Sequence, residues 1–456
     1  MPDKFVEKYK QSPAGLLYVA PTGSGKTRKA IAATKGGDTS VVGTASLSKN
    51  FEKEEQKAFG TKTKRFVTTY AGMARSKVLP GGQSLILDES HYVRNPQTKA
   101  FSHIARDRSK YHKALLLTGT PIVNEPYDIA PQVDLVAQKQ IVPLDKKKFY
   151  QTFYKEDSPS IGMIAKLLGV SRPYSRKLKD PHQVKRTLDP YVEVENPKNV
   201  EKLLPERKEE VVKVPLSDKQ QELYKYVAGK LPYSLKYKIK RQLPPSKQEA
   251  QSLNAYLSGL RQISNTTKEY QSSGTPDEPK LDKMFDDLKK EVSHKGKVIV
   301  YSNFLNSGVS EIADKLTKSK IPYSHITGST SKPERQRQID EYNKNKKRVM
   351  LFSGAGSEGI NLPNTSLVQI TEPHWNMARL YQASSRGIRR DSKRKDVKVK
   401  TYLSTFPDKY FTLFGKKLFK RSKQTSADEY LYGLSQSKEQ ESKTFLSALM
   451  NKDGEK

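Results

Sequence analysis

Residues 16–27 read LLYVAPTGSGKT, an apolar run that stops at a glycine-rich loop and restarts at 28–34 as a helix-compatible stretch. Glycines let backbone N–H groups wrap around an anion, and the following helix adds its positive N-terminus. An apolar strand, this loop and then a helix describe a cradle for nucleotide phosphates, built from Pro21, Thr22, Gly23, Ser24, Gly25, Lys26 and Thr27. The Lys26 ammonium is expected to reach the β- and γ-phosphates of ATP, and the Thr27 hydroxyl to ligate Mg²⁺. Such loops also arise by chance in Gly/Ser-rich segments, but here the strand and helix flank it on the correct sides.

Farther along, Leu85-Ile86-Leu87 leads into Asp88-Glu89-Ser90-His91. Asp88 is expected to hold Mg²⁺ through water, and Glu89 to orient or deprotonate the attacking water. A lone acidic pair at a strand end is usually solvated surface; after a phosphate loop it completes a hydrolytic site. His91 is expected to couple the two halves of the chain rather than hold a metal. LTGTP at 117–121 follows another apolar run and suits a relay between nucleotide state and grip on a polymer.

Near the other end, residues 382–389 read QASSRGIR. Arg386 and Arg389, three apart, are expected to share one helix face. Behind Gln382 they read as fingers for the transition-state phosphate, each worth roughly 10³-fold or more in rate. Ser353–Asn361 (SGAGSEGIN) follows an apolar run, and its Gly/Ser loop, Gly359 included, can touch nucleotide or a phosphate backbone. A cradle and Mg²⁺ carboxylate in one half, with arginines in the other, describe a two-lobed motor.

Apolar runs alternate with polar stretches on both sides of the chain's middle. Expected strands are Leu16–Ala20, Val41–Thr44, Phe66–Thr69, Leu85–Asp88 and Leu115–Thr118, then Val298–Ser302, Val349–Ser353, Leu367–Thr371 and Val397–Leu403. Such spacing implies crossover connections and parallel sheets covered on both faces. The fold class expected is α/β, with two RecA-like lobes at 1–140 and 279–405. Between them 141–278 is expected to be a basic, mainly helical insertion, and 406–456 a basic helical tail. Residues 230–247 hold six Lys/Arg and no acid, and 166–186 hold seven Lys/Arg and one Asp.

Across 456 residues, 83 Lys plus Arg face 49 Asp plus Glu, a net charge of +34. Such an excess repels itself unless a polyanion is expected, which points to nucleic acid before a membrane surface. The absence of cysteine excludes disulfides, cysteine zinc sites and cysteine nucleophiles. The first ten residues are charged, so no secretory signal is expected, and no apolar run is long enough to span a bilayer. An intracellular protein is expected.

With these motifs in order, the chain resembles superfamily 2 helicases of the Swi/Snf-type branch. The details are VVGTASLSKNFEKE at 41–54, FVTTY at 66–70, DESHYVRN at 88–95, LLLTGTPIVN at 115–124, VPLSDKQQELY at 214–224 and LRQISN at 260–265. VIVYSNF at 298–304, HITGST at 325–330 and EPHWN at 372–376 complete the series. It covers about residues 12–405. SPAGLLYVAPTGSGKT at 12–27 and SADEYLYGLSQSKEQESKTFLSALM at 426–450 add a likeness to the helicase-like ATPases of large cytoplasmic DNA viruses. These are the poxvirus-type nucleoside triphosphate phosphohydrolase I and the small subunit of the early transcription factor.

The resemblance implies a DNA-dependent ATPase that translocates on duplex DNA without separating strands. RNA helicase or transcript-release activity is the rival, and a silent DNA-binding scaffold is a rival of another class. It implies DNA contacts at Thr44, Ser46, Thr68, Thr69, Ser353 and Gly354, and RNA polymerase or transcription factors as partners. Family members carry an upstream glutamine that recognises adenine, whereas Gln11 lies too near the loop for that role, so base preference stays open.

Overall fold

The computed structural model describes residues 3–44, 51, 54–56, 60, 65–75, 77–156, 163, 176–271, 273–354, 360–408, 410–413, 416–420 and 424–450. Its contacts divide the chain into two compact units. The first holds residues up to Glu156, Arg176–Leu203 and everything from Lys438; the second is centred on Leu204–Ser437.

In the first unit, β1 (Gly15–Val19), β2 (Thr39–Gly43), β3 (Phe66–Thr69), β4 (Gly82–Asp88) and β5 (Tyr111–Thr118) form a sheet. A short antiparallel pair, β6 (Tyr154–Glu156) and β7 (Arg176–Leu178), stands apart from it. With β8 (Val192–Val194), the sheet order is β3-β2-β4-β5-β1-β8, every pairing parallel. Both faces are covered, which is why β1, β4 and β5 are apolar runs rather than alternating strands. The pleat sorts them: Leu17, Val19, Leu85, Leu87 and Leu116 pack toward one helical layer containing Ile104, Val133, Phe149 and Val184. Leu16, Tyr18, Ile86, Leu115 and Leu117 pack toward Phe5, Tyr9, Ala30 and Ile31 on the other.

The second unit repeats the plan. Its strands are β9 (Glu206–Pro215), β10 (Val298–Ser302), β11 (Tyr323–Ile326), β12 (Val349–Ser353), β13 (Leu367–Ile370) and β14 (Asp396–Thr405). Their order is β11-β12-β10-β13-β14-β9, again all parallel. Ile299 and Tyr301 point into one core and Val298 and Val300 into the other. The helices Asp218–Gly229, Tyr233–Arg241 and Lys247–Asn265 build a separate apolar cluster around Tyr224, Leu235, Leu257 and Tyr430. Ser217 opens the first of them with a capping box closed by Gln220.

All nine expected strands are present, and the α/β class with two parallel sheets holds. The expected boundaries need correction. The stretch 141–278 is not a helical insertion throughout, since it supplies β8 to the first sheet and β9 to the second. β9 (ERKEEVVKVP) gives no apolar signal because it is a solvated edge. Its pairing to β14 runs on backbone and on cross-strand ion pairs, Lys208 to Asp396 at 2.8 Å and Lys400 to Glu210 at 3.4 Å. The tail is not purely helical either: β15 (Tyr410–Leu413) and β16 (Lys416–Lys420) pair antiparallel. The long helix Ala427–Met450 is shared between units. Its start belongs to the second, where Asp428 forms a fully buried ion pair with Lys280 at 2.8 Å. Its end belongs to the first, where Phe445, Ala448 and Leu449 enter the core.

Among the described residues no helix is long and apolar enough to cross a membrane.

Candidate functional site

In the first unit the sheet delivers three loops from three adjacent strands. Val19 pairs with Thr118, and Asp88 with Leu117, so β1, β5 and β4 end at one level. Ligands of open parallel sheets bind beyond these carboxyl ends. The phosphate loop leaves β1, the TGTP loop leaves β5 and the acidic loop leaves β4.

Gly25 caps helix Lys26–Ala33 with φ 79°, a left-handed conformation that glycine adopts without the strain of a Cβ. No side chain caps this helix, so its first N–H groups are left for an anion. The Ser24 hydroxyl is buried in the same loop with no hydrogen-bond partner. Lys26 Nζ folds back onto the carbonyls of Ala20 (2.8 Å) and Pro21 (3.2 Å). A Cβ at Gly119 would lie 3.3 Å from the Ala20 carbonyl and 3.5 Å from Lys26 Nζ, so the TGTP loop rests directly against the cradle.

Burial and the adjacent Glu89 carboxylate push the Asp88 carboxyl up to about 7, against the pull of Lys26. A carboxyl so placed gains greatly from a divalent cation, which with the Thr27 hydroxyl is an all-oxygen donor set of the kind Mg²⁺ takes. The residues present fit that ion. Glu89 sits at φ 53°, costing about 1–2 kcal/mol for a residue with a side chain. That turn sets its carboxylate 3.4 Å from His91 Nδ1, which is also 3.3 Å from Thr118 Oγ1. His91 therefore joins the acidic loop to β5 within the first unit. No group of three or more metal-ligating His, Asp or Glu side chains occurs among the described residues.

Two residues that sequence reasoning missed hold the TGTP segment, and the first of them ties it to the acidic loop. Gln132, fully buried, accepts from Ser90 Oγ at 2.8 Å and donates to the carbonyls of Pro121 and Asp128, both at 2.8 Å. Asp128 accepts from the Val123 and Asn124 N–H groups at 2.9 and 2.6 Å. Both lie past the motif, and only their placement by the helix Ala130–Ala137 and the turn before it shows what they hold.

The expected polymer contacts are placed unevenly. Thr44 ends the β2 region partly exposed. Thr68 is buried, and the Thr69 hydroxyl caps helix Tyr70–Ala74 by accepting from Gly72 N at 3.0 Å. Ser353 is buried at the end of β12, with Gly354 just beyond it. Ser46 and Gly359 lie outside the described residues.

In the second unit, Gln382 lies on helix Met377–Ser384, partly exposed. Arg386 and Arg389 do not share a helix face, because that helix ends at Ser384. Ser384 and Ser385 turn their hydroxyls back onto the carbonyls of Leu380 and Gln382, and Gly387 disfavours another turn. Arg389 donates from Nη2 to the Ile360 carbonyl at 2.7 Å and from Nε to the Arg386 carbonyl at 3.3 Å. Burial and the neighbouring Arg386 lower its guanidinium to about 9, which leaves it charged at neutral pH.

Two of the quoted segments also meet in this unit. Glu372, fully buried, accepts from Asn265 Nδ2 and Ser302 Oγ at 2.6 Å each and from Asn303 N at 2.9 Å. Arg261 adds a bond to the Pro373 carbonyl at 2.6 Å. LRQISN and EPHWN thus lock helix Lys247–Asn265 to the ends of β10 and β13.

The family model of the SNF2-related domain matches residues 10–269, and that of the helicase conserved C-terminal domain matches residues 280–391. A protein of Acanthamoeba polyphaga mimivirus bearing the name "Putative ATP-dependent RNA helicase" is 29% identical over 453 residues, 94% of this chain and 92% of its own. Nuclear protein STH1/NPS1 of Saccharomyces cerevisiae is 26% identical over 360 residues, 74% of this chain. The CHD3-type chromatin-remodeling factor PICKLE of Arabidopsis thaliana is 27% identical over 333 residues, 67% of this chain. The alignments span only 26% and 21% of those two proteins. The solved SWI2/SNF2 ATPase core of Sulfolobus solfataricus in complex with dsDNA is 20% identical with a TM-score of 0.36, over 88% of this chain and 85% of that one.

Proposed function

Since this chain belongs to the SNF2-related family and is an ATP-hydrolysing, helicase-like enzyme of superfamily 2, we propose that it spends ATP on movement along duplex DNA without opening it. The observation that carries the site assignment is the convergence of the phosphate loop, Asp88-Glu89 and the TGTP loop at one end of three adjacent strands.

In this reading Pro21–Thr27 wrap the phosphates and Lys26 leaves its loop carbonyls for the β- and γ-phosphate oxygens. Thr27 and Asp88 hold Mg²⁺, which would neutralise charge developing on the phosphates. Glu89, held by its turn and by His91, orients the attacking water and takes its proton. Gln382, Arg386, Arg389 and Gly359 are assigned to the nucleotide as well. Thr44, Ser46, Thr68, Thr69, Ser353 and Gly354 contact the polymer through phosphates, which carry little base information. The net charge of +34 supports a polyanion track, and work on such a track is intracellular.

Duplex DNA is favoured by the SNF2-related match and by relatives named for chromatin remodelling. RNA is the second reading, supported by the name of the mimivirus relative. Steady-state hydrolysis with duplex DNA, single-stranded DNA and RNA separates them: stimulation by duplex DNA alone is expected. Stimulation by RNA alone reverses the assignment. Lys26→Ala should abolish turnover, and unchanged turnover in that variant sinks the site.

A further inference from the structure

The helix Tyr233–Arg241 buries Leu235 in the helical cluster of the second unit and pairs its inward Lys238 with Glu249. Its remaining face is unusual. Tyr233, Lys236, Tyr237, Lys240 and Arg241 fall at i, i+3, i+4, i+7 and i+8, one stripe along the helix. An ordinary solvated helix mixes signs. On helix Lys332–Asn343 of the same unit, for example, Arg337 pairs with both Glu334 and Glu341. The stripe on Tyr233–Arg241 contains no carboxylate, and neither does any residue from 230 to 247.

Its cations lean on aromatic rings instead. The Arg241 guanidinium lies 5.3 Å from the Tyr237 ring centroid. On the preceding helix, the Lys230 ammonium lies 4.4 Å from the ring of Tyr226. Lys236 Nζ gives one hydrogen bond to the Gly229 carbonyl at 2.9 Å, which anchors the two helices and keeps the charge at the surface. Tyr226 is 66% exposed and Tyr233 56%, a costly display for large rings in a chain with a single tryptophan and ample core.

We propose that this face, Tyr226, Lys230, Tyr233, Tyr237, Lys240 and Arg241, binds single-stranded RNA, the tyrosines stacking on unpaired bases and the cations following the phosphates. Exposed rings have no base faces to stack on in an intact duplex, whereas an unpaired strand offers one per nucleotide. The choice of RNA over unpaired DNA rests on the reading above, because a motor that tracks duplex without opening it produces no unpaired DNA.

The test is fluorescence anisotropy of the full chain, without nucleotide, on one labelled sequence as single-stranded RNA, single-stranded DNA and duplex DNA. Tyr226→Ala and Tyr233→Ala should each weaken RNA binding by roughly 5- to 150-fold, while Tyr→Phe at the same positions retains it. Lys240→Gln with Arg241→Gln should lower the slope of log affinity against log salt by about 1.4. Thermal melts identify any variant that has lost its fold, and the Phe and Gln variants then carry the test. A loss on RNA at least as large as on single-stranded DNA, and larger than on duplex, bears the proposal out. Unchanged RNA affinity in the folded alanine variants, or a loss greatest on either DNA, overturns it. Since no ATP is present, failure here leaves the hydrolytic site untouched, and a failed Lys26→Ala test leaves this surface untouched.

Discussion

The Ser90 hydroxyl donates a 2.8 Å hydrogen bond to Oε1 of Gln132, whose amide nitrogen in turn holds the Pro121 and Asp128 carbonyls. One buried side chain therefore fixes the acidic loop against the TGTP loop, using both amide hydrogens and one lone pair of its oxygen. Gln132→Leu keeps nearly the same volume but strands the buried Ser90 hydroxyl. Small misplacements of catalytic groups can cost on the order of 10²-fold, so kcat for ATP should fall about 10- to 100-fold. KM should stay near wild type because the cradle itself is untouched. Steady-state kinetics decides, and a raised KM with intact kcat would remove Gln132 from this role.

The two arginines of the second unit should separate in their effects. Arg389 ties the Ile360 carbonyl to that of Arg386, a fork that lysine cannot reproduce. Arg389→Lys should cost about 1–3 kcal/mol of stability for the abandoned carbonyls together with turnover. Arg386→Ala should lose roughly 10³-fold in kcat with little change in the urea midpoint. Equal stability losses in both would contradict this separation.

Much of the fold was legible because parallel strands buried on both faces are apolar along their whole length. LLYV, LILD, LLLT and VIVY could hardly be anything else. β9 escaped notice because its residues face solvent, and β8 because three residues carry no pattern. The cradle and acidic pair were legible since backbone geometry demands those residues locally. Gln132, Asp128 and Glu372 were not, because each works on a partner that only tertiary folding brings near. The arginine spacing misled for a local reason: two serines end the helix before the first arginine, and a glycine follows it.

The C-terminal segment is structural in the first unit. Phe445 is fully buried, with its ring 6.2 Å from that of Phe149, 6.3 Å from Phe153 and 6.4 Å from Tyr154. Removing a ring from such a site costs about 3–5 kcal/mol. Phe445→Ala should lower the urea midpoint accordingly, and Phe445→Leu should recover most of the loss. A midpoint within error of wild type would mean the helix end is not packed as described.

Lys297 supplies a pH signature. It is buried, its ammonium 4.1 Å from the Tyr342 ring centroid and 3.2 Å from the Pro363 carbonyl. Burial, with the Arg348 charge adding to it, lowers it to about 8 from 10.5. Below pH 8 both folded and unfolded chains carry the proton, so the cost of holding it inside is felt in full. Between about 8 and 10.5 the folded chain has released that proton while the unfolded chain still binds it. Stability from this group therefore rises with pH across that window, by about 1–3 kcal/mol. Burial pushes the Tyr342 phenol upward, out of the window. Lys297→Met keeps the apolar stem over the ring and removes the titration. Urea unfolding at pH 7 to 10 should show the variant more stable at pH 7 and the two proteins converging toward pH 10; parallel curves would show that Lys297 is solvated.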